Sequence, residues 1–281
     1  MNHRTPRLAL AALLTPALLL AGCGDDKTDA SNDKPAGENA TASATDGASD
    51  SAEAGSGELA ELSKDDFYPT IIAAQQKAGS FRGTATSTSG GVAVTVETEV
   101  SYDGDQPSSH AKTTADSPQK MEMVVVDGVL YIQADGLVPS GKWAKLDPKD
   151  PANAGNPLAS LGQLADPAKA LAVLGTPKEL RLVGEETVDG VASNHYEVVL
   201  DSSSYAEKLG LGEDVAAAMP PEITSQMWVD AQNRPVKMSM EFETSGVKVA
   251  SEQTYHDYGA DVTVTEPDEA DVVSAPALGQ G

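Results

Sequence analysis

The sequence predicts an α+β domain: one large antiparallel sheet carrying helices on one of its faces. Three observations carry that expectation. The stretch VAVTVETEVSY alternates apolar and polar residues with a period of two, as a half-buried strand does. The dipeptides Asp127-Gly128 and Asp189-Gly190 sit between pairs of such stretches, where a tight hairpin turn is needed. The strand candidates also follow one another without the regular strand-helix alternation of a parallel sheet.

The elements are read in chain order. Residues 63–79, SKDDFYPTIIAAQQKAG, predict a helix with Ser63 as cap, Asp66 completing the capping pair and Gly79 as stop. Pro69 is awkward inside that span, so the regular helix is expected to begin near it. Phe67, Ile71, Ala74 and Ala78 share one face. Strands are expected at 80–87 and 92–102, then at MEMVVV and VLYIQ around Asp127-Gly128. RLVGEETV and VASNHYEVVL flank Asp189-Gly190, ITSQMWV and PVKMSMEFET are joined through residues 230–234, and a last strand covers 247–258. Two short helical segments broken at Pro167 and a further helical patch in SYAEKLGLGEDVAAAM lie between them. No repeat of fixed period appears.

The ends of the chain are different in kind. Arg4 and Arg7 precede an apolar run that is too short for a bilayer-spanning helix and ends in Leu-Ala-Gly-Cys. This order reads as a secretory signal over residues 1–22. The four residues 20–23 match the lipobox of bacterial lipoproteins, and that resemblance implies that Cys23 receives a diacylglyceryl thioether and becomes the new N-terminus. Lipidation would also remove the only thiol in the chain. Residues 24–57 contain no Leu, Ile, Val, Met or aromatic residue and cannot build a core, so 23–57 is expected to be a disordered tether. As a flexible coil it would reach about 30 Å from the membrane. A folded domain is expected over 58–266 and a flexible acidic tail over 267–281. The net charge of −24 excludes nucleic-acid binding by charge and provides no polybasic membrane patch.

The inward face of the sheet has an unusual composition. Met121, Met123, Met227, Met238, Met240 and Phe242 occupy alternate strand positions between Glu122, Lys237, Ser239 and Glu241. Methionine is flexible and polarizable, and recurs on surfaces that fit varied apolar ligands. With three Phe and two Trp, bulky fillers are scarce for so wide a sheet. A partly unfilled interior and a plain core of Met, Val and Leu are both open on this reading.

A resemblance adds to it. The lipobox and tether, YPTIIAAQQKAGSFRGT, the Val-Asp-Gly hairpins, LVGEETVDGVASNHYEVVLD and MWVDAQNRPVKMSMEF together resemble the LppX/LprAFG family of actinobacterial lipoproteins over residues 59–264. That resemblance implies a LolA/LolB-like fold: an antiparallel sheet curved into a half-barrel, with helices covering its concave face over an apolar cavity. It also implies that the protein binds an acylated lipid or lipoglycan and carries it across the cell envelope, anchored to the extracytoplasmic face of the cell membrane through Cys23, with a membrane transporter as possible partner. Carried onto inward-facing positions, the cavity lining is Val94, Val96, Met123, Met227, Met238 and Met240. Arg181, Arg234 or Lys237 could meet an anionic head group at its rim. The alternative function is a non-catalytic sensor or interaction module on the same fold that regulates a membrane partner.

No catalytic constellation emerges, and no enzyme activity, cofactor or metal is expected. His110, His195 and His256 have no metal-binding spacing. Ser117-Pro118-Gln119-Lys120 has the Ser-x-x-Lys spacing of penicillin-interacting enzymes, but neither Ser-Asp-Asn nor Lys-Thr-Gly follows it. The acidic pairs in SYDGDQ and DPKDP read as turns.

Overall fold

The computed structural model describes residues 58–103, 106–153, 166–208, 217, 219–244 and 246–274; the expected signal peptide, lipidated Cys23, tether and first helical segment near 157–165 lie outside them. No helix among the described residues is long and apolar enough to cross a membrane.

Helix α1 spans Phe67–Ala78. Ser63 and Asp66 do form their reciprocal pair, with Asp66 N–H donating to Ser63 Oγ (3.3 Å) and Ser63 Oγ donating to Asp66 Oδ2 (2.9 Å). The pair closes a turn before the helix and leaves Asp66 as N-cap, so Pro69 falls in the first turn, where its missing N–H costs nothing. Gly79 ends α1 at φ 80, a conformation that strains any other residue. Strands β1 (Ser80–Ser89) to β5 follow as a meander: β2 (Val92–Ser101), β3 (Ser108–Thr113), β4 (Met121–Val126) and β5 (Val129–Ala134). The strands β6 (Trp143–Leu146), β7 (Glu179–Val188) and β8 (Val191–Asp201) come next, with α2 (Pro167–Leu174) between β6 and β7. After α3 (Ser202–Lys208) the chain runs through β9 (Glu222–Asp230), β10 (Pro235–Thr244), β11 (Val247–His256) and β12 (Val272–Ser274). Asp127 and Asp189, at φ 52 and 49, precede glycines at φ 77 and 83, which are the left-handed pairs a two-residue hairpin demands.

All twelve strands form one open, curled sheet in the order β12-β6-β5-β4-β3-β2-β1-β11-β10-β9-β8-β7. Every pairing is antiparallel except β12 with β6, which is parallel. That exception corrects one expectation. Part of the supposed flexible tail is the edge strand β12, and Lys142 Nζ ties it down by donating to Ala270 O (3.0 Å) and pairing with Asp271 (2.8 Å).

The register sorts the side chains cleanly. One side carries ion-pair ladders: Arg82–Glu99 at 2.7 Å, His110–Glu122 at 2.7 Å, Lys237–Glu252 at 2.6 Å and Lys248–Glu241 at 2.9 Å. Such exposed pairs add little stability each, under about 1 kcal/mol, but they keep this side in water. The other side is apolar and carries the helices. Phe67, Tyr68 and Ile71 of α1 and Leu171 of α2 pack with Phe81, Val100, Tyr196, Met227, Met238 and Tyr255. Tyr205 and Ala206 of α3 pack with Ile223, Met240, Phe242 and Val249. A separate cluster on β2 to β6 joins Val94, Val96, Met121, Met123, Leu130, Ile132 and Leu146, with Leu137 and Val138 against it.

Candidate functional site

The two apolar regions are separated by a strip of small side chains at the middle of the sheet. Strand β1 lies between β2 and β11, and its inward residues are Phe81, Gly83, Ala85, Ser87 and Ser89. Their inward partners on β11 are Tyr255, Gln253, Ser251 and Val249. Following the register across the strands gives two rows, Val96–Ala85–Gln253–Met238 and Val94–Ser87–Ser251–Met240. In each row two large apolar residues flank two small or polar ones. Val94, Val96, Met238 and Met240 are buried (8, 7, 4 and 8 % exposed), whereas Ala85, Ser87 and Gln253 between them are only half-buried. The centre of a sheet ought to be its most covered part. Here small or polar side chains lie between apolar flanks, an arrangement to which the register gives the form of a trough.

Its dimensions follow from strand geometry. Wall strands β2 and β10 are three inter-strand steps apart, about 14 Å, and residues 81 to 89 span about 26 Å along the floor. One end opens beside the β1–β2 and β10–β11 turns, where the inward Val92 and Val247 remain 55 and 39 % exposed. The other end is aromatic. The Phe81 ring lies 5.8 Å from Tyr255, 5.7 Å from Tyr258 and 6.3 Å from Tyr102.

Above the aromatic end sits Gln75 of α1. It is fully buried, and its amide lies against the Tyr258 hydroxyl. That hydroxyl donates to Pro235 O at 2.7 Å, which leaves its oxygen able to accept from the Gln75 amide, and the buried Tyr102 hydroxyl is unpartnered. Tyr255 Oη donates to Gln253 Oε1 on the trough floor at 2.6 Å. Burial pushes the hydroxyls of Tyr68, Tyr102, Tyr205, Tyr255 and Tyr258 well above the ordinary tyrosine range, so all five stay neutral hydrogen-bonding groups at any physiological pH. A cleft of ≈ 220 Å³ between α1 and α2, lined by Tyr68, Ile72 and Ala172, reaches solvent on the same side.

The structure therefore brings together four of the six residues read from the sequence as cavity lining. Met227 pairs with Met238 one strand beyond the wall, under α1, and Met123 lies on β4, two strands beyond the other wall, in the same cluster as Val94 and Val96. The small floor residues and Gln75 were not anticipated. The sparse apolar content of SFRGTATSTS, in a strand flanked by clear strands, is the signal that marks the floor. The three cations expected at a rim do not face the apolar side: Arg181 pairs with Glu197 (2.9 Å) and Lys237 with Glu252, while Arg234 closes its turn on Asp230 (2.7 Å).

The remaining sequence candidates have structural partners. Ser117 Oγ lies 3.2 Å from both the N–H and the O of Thr95, and Lys120 Nζ donates to the carbonyls of Thr114, Ala115 and Ser117, so the Ser-x-x-Lys stretch is a lysine-locked turn. His195 stacks on Trp228 (4.3 Å) between Glu186 (2.8 Å) and Gln226 (2.7 Å), on the polar side. Hydrogen bonds from Trp228 Nε1–H and from His195 hold the Glu186 carboxyl below the usual range. His110 bonds Glu122 and His256 lies 3.0 Å from Asp257. Among the described residues no group of His, Cys, Asp and Glu is arranged to hold a metal ion.

No protein-family model matches the sequence, and no curated protein is significantly similar to it. Solved structures do resemble it in outline. The chain is similar to LprF from Mycobacterium bovis, at 14% identity and TM-score 0.44 over 73% of this chain and 96% of that one. It is similar also to the Mycobacterium tuberculosis lipoprotein LppX, at 12% identity and TM-score 0.47 over 72% and 98% of the two chains. MucB from the Pseudomonas aeruginosa MucA/MucB complex follows at 19% identity and TM-score 0.40, over 70% and 59%.

Proposed function

We propose that this protein is a membrane-tethered carrier of acylated lipid, which shelters the acyl chains in the trough on β1 and β11. The observation that carries this reading is the low, half-buried floor of Ala85, Ser87 and Gln253 between the buried walls Val94, Val96, Met238 and Met240. A core of maximal stability has no reason to place small residues at its centre, whereas a lipid carrier needs them there. An acylated lipid has some tens of methylenes, each worth about 0.8 kcal/mol when kept from water, so unassisted passage through the aqueous envelope is prohibitively slow. At about 26 Å the floor exceeds the half-thickness of a bilayer core, about 15 Å, and takes an extended chain along its length.

The anchor completes the scheme. Acylated Cys23 would hold the carrier at the membrane, since two or three chains give attachment that one does not. Residues 24–57 would let the domain leave the surface while tethered. Transfer to a second membrane or to a transporter follows from this arrangement as the role of the carrier. No charged head-group clamp is required.

Native mass spectrometry of the protein purified without detergent tests the reading. Co-purified lipid, or uptake from liposomes, supports it. Repeated recovery of lipid-free protein with no uptake overturns it in favour of a sensor or interaction module. Cys23→Ser should release the protein from membranes; a processed variant that stays bound would refute the anchor.

A further inference from the structure

Among the described residues three large apolar side chains are exposed, Val92, Val183 and Val247. Val183 lies apart on the edge strand β7, but the other two meet at the open end of the trough, both on the inward side of the sheet. Gly90 stands between them: its N–H donates to Lys248 O at 3.4 Å, and a Cβ on it would lie 3.9 Å from Val247 Cγ1. A single exposed valine needs no explanation. Two beside one glycine make the β1–β2 and β10–β11 tips into a common apolar lip. Its chemistry is also unlike that of the other hairpins. Asp127, Asp189 and Asp230 put a carboxylate at the β4–β5, β7–β8 and β9–β10 turns, whereas residues 83–96 and 244–247 contain no ionisable side chain, in a chain of net charge −24. Lys248 and Glu241 beside the lip point to the polar side and pair with each other at 2.9 Å.

Resting on the carrier reading above, we infer that this lip is a docking surface for a lipid bilayer, through which acyl chains pass between the membrane and the trough. Uncharged valine tips leave water for the head-group boundary at little cost, whereas the carboxylates elsewhere on this acidic surface resist desolvation. A chain that leaves the bilayer at the lip meets the floor directly, without crossing open water. Two valines hold weakly. The tether compensates by keeping the lip close to the membrane, and weak contact leaves release easy. The described chain begins away from the lip, under α1: Ala60 O accepts from Asn194 Nδ2 at 3.0 Å, and Leu62 N–H donates to the Tyr196 hydroxyl at 2.8 Å, whose ring lies 5.1 Å from Phe67. As a flexible coil, residues 24–57 would reach about 30 Å, more than the roughly 26 Å length of the trough, so the lip can turn to the membrane that holds the anchor.

The test places an environment-sensitive fluorophore on a single cysteine in the full Cys23→Ser chain, introduced by Val92→Cys or, as control, by Thr187→Cys on the exposed edge strand β7. Phosphatidylcholine vesicles should shift the emission of the first to the blue and leave the second unchanged, equally in low and high salt. Transfer of a pyrene-labelled phosphatidylcholine between vesicles is the second readout. Val92→Asp combined with Val247→Asp should slow it about tenfold, equivalent to about 1.4 kcal/mol. The melting temperature and the lipid bound at equilibrium should not change, because both side chains are already exposed. A label at residue 92 that stays in water, a blue shift that salt abolishes, or unchanged transfer in the double variant overturns the inference; lipid uptake in any of these cases still upholds the carrier. No lipid uptake, with a label at residue 92 that enters the vesicle, overturns the carrier and leaves the docking surface standing.

Discussion

Filling the floor of the trough distinguishes a binding hollow from a packed core. In Ala85→Leu the new side chain projects between Val96 and Gln253, on the inward side of β1. If ligand occupies that space, three added carbons displace about three methylenes of lipid, about 2.4 kcal/mol at 0.8 kcal/mol each, or about fiftyfold in affinity. The protein itself gains apolar contact with the walls and loses nothing, so its melting temperature should hold or rise slightly. If the region is solid core, the same change overpacks it and costs about 1–3 kcal/mol, which in a domain of this size lowers the melting temperature by about 2–12 °C. Thr84→Val, one residue away on the polar side, controls for strand propensity. The assay is a melting curve with a lipid-uptake titration on each variant. Destabilisation of that size with unchanged uptake would refute the trough.

Two further outcomes follow from the interior and the turns. Every tyrosine in the chain is held above its ordinary pKa, chiefly by burial, with Tyr131 pushed up to about 12. Raised folded values mean that stability is complete below pH 10 and falls above it as the unfolded chain ionises first, so phenolate absorbance should appear together with alkaline unfolding; several tyrosines titrating near pH 10 in still-folded protein would contradict this. Asp230, 5 % exposed, accepts from the N–H groups of Gln232 (2.9 Å) and Arg234 (2.8 Å) and pairs with the Arg234 guanidinium (2.7 Å). Asp230→Ala should destabilise by about 2–3 kcal/mol, less than a fully buried pair because Arg234 can reach water, and a loss under about 0.5 kcal/mol would show that the turn does not depend on it.

The parts of the fold legible in the sequence are those where burial alternates strictly. Strand β2 and the Asp-Gly hairpins were visible because Val94, Val96 and Val100 sit against Glu97 and Glu99, and because only a left-handed pair closes so short a turn. Strand β3, SSHAKT, escaped notice: its inward residues Ser109 and Ala111 are small, so it has no apolar alternation, and its place is dictated by neighbours on both sides. Strands β6 and β12 are too short to carry a period. The methionine face was read correctly as one side of the sheet. Its division was not, because Met123 and Met240 each close a Met-polar-Met triplet and differ in which cluster the topology gives them. Gln75 was invisible for the opposite reason, since a glutamine beside Gln76 and Lys77 looks like a wet surface. Six of the seven tyrosines, all but Tyr131, supply in the helix-covered interior the bulk that Phe and Trp do not.

What makes the trough persuasive is where it lies. Consistency across levels would put Val or Ile at the inward positions of a central strand, and each such side chain buried contributes about 1.5–3 kcal/mol. Strand β1 forgoes that contribution at Ala85 and Ser87, and β11 forgoes it at Ser251 and Gln253, all in register. The sheet still holds because both strands are paired along both edges and carry charge ladders outward, so backbone hydrogen bonds, with the walls and helices, replace the missing core. Four coincident departures from large apolar side chains, aligned across two adjacent strands, are hard to reconcile with selection for stability alone. They are what a chain must give up to hold an apolar molecule of its own length scale against its centre.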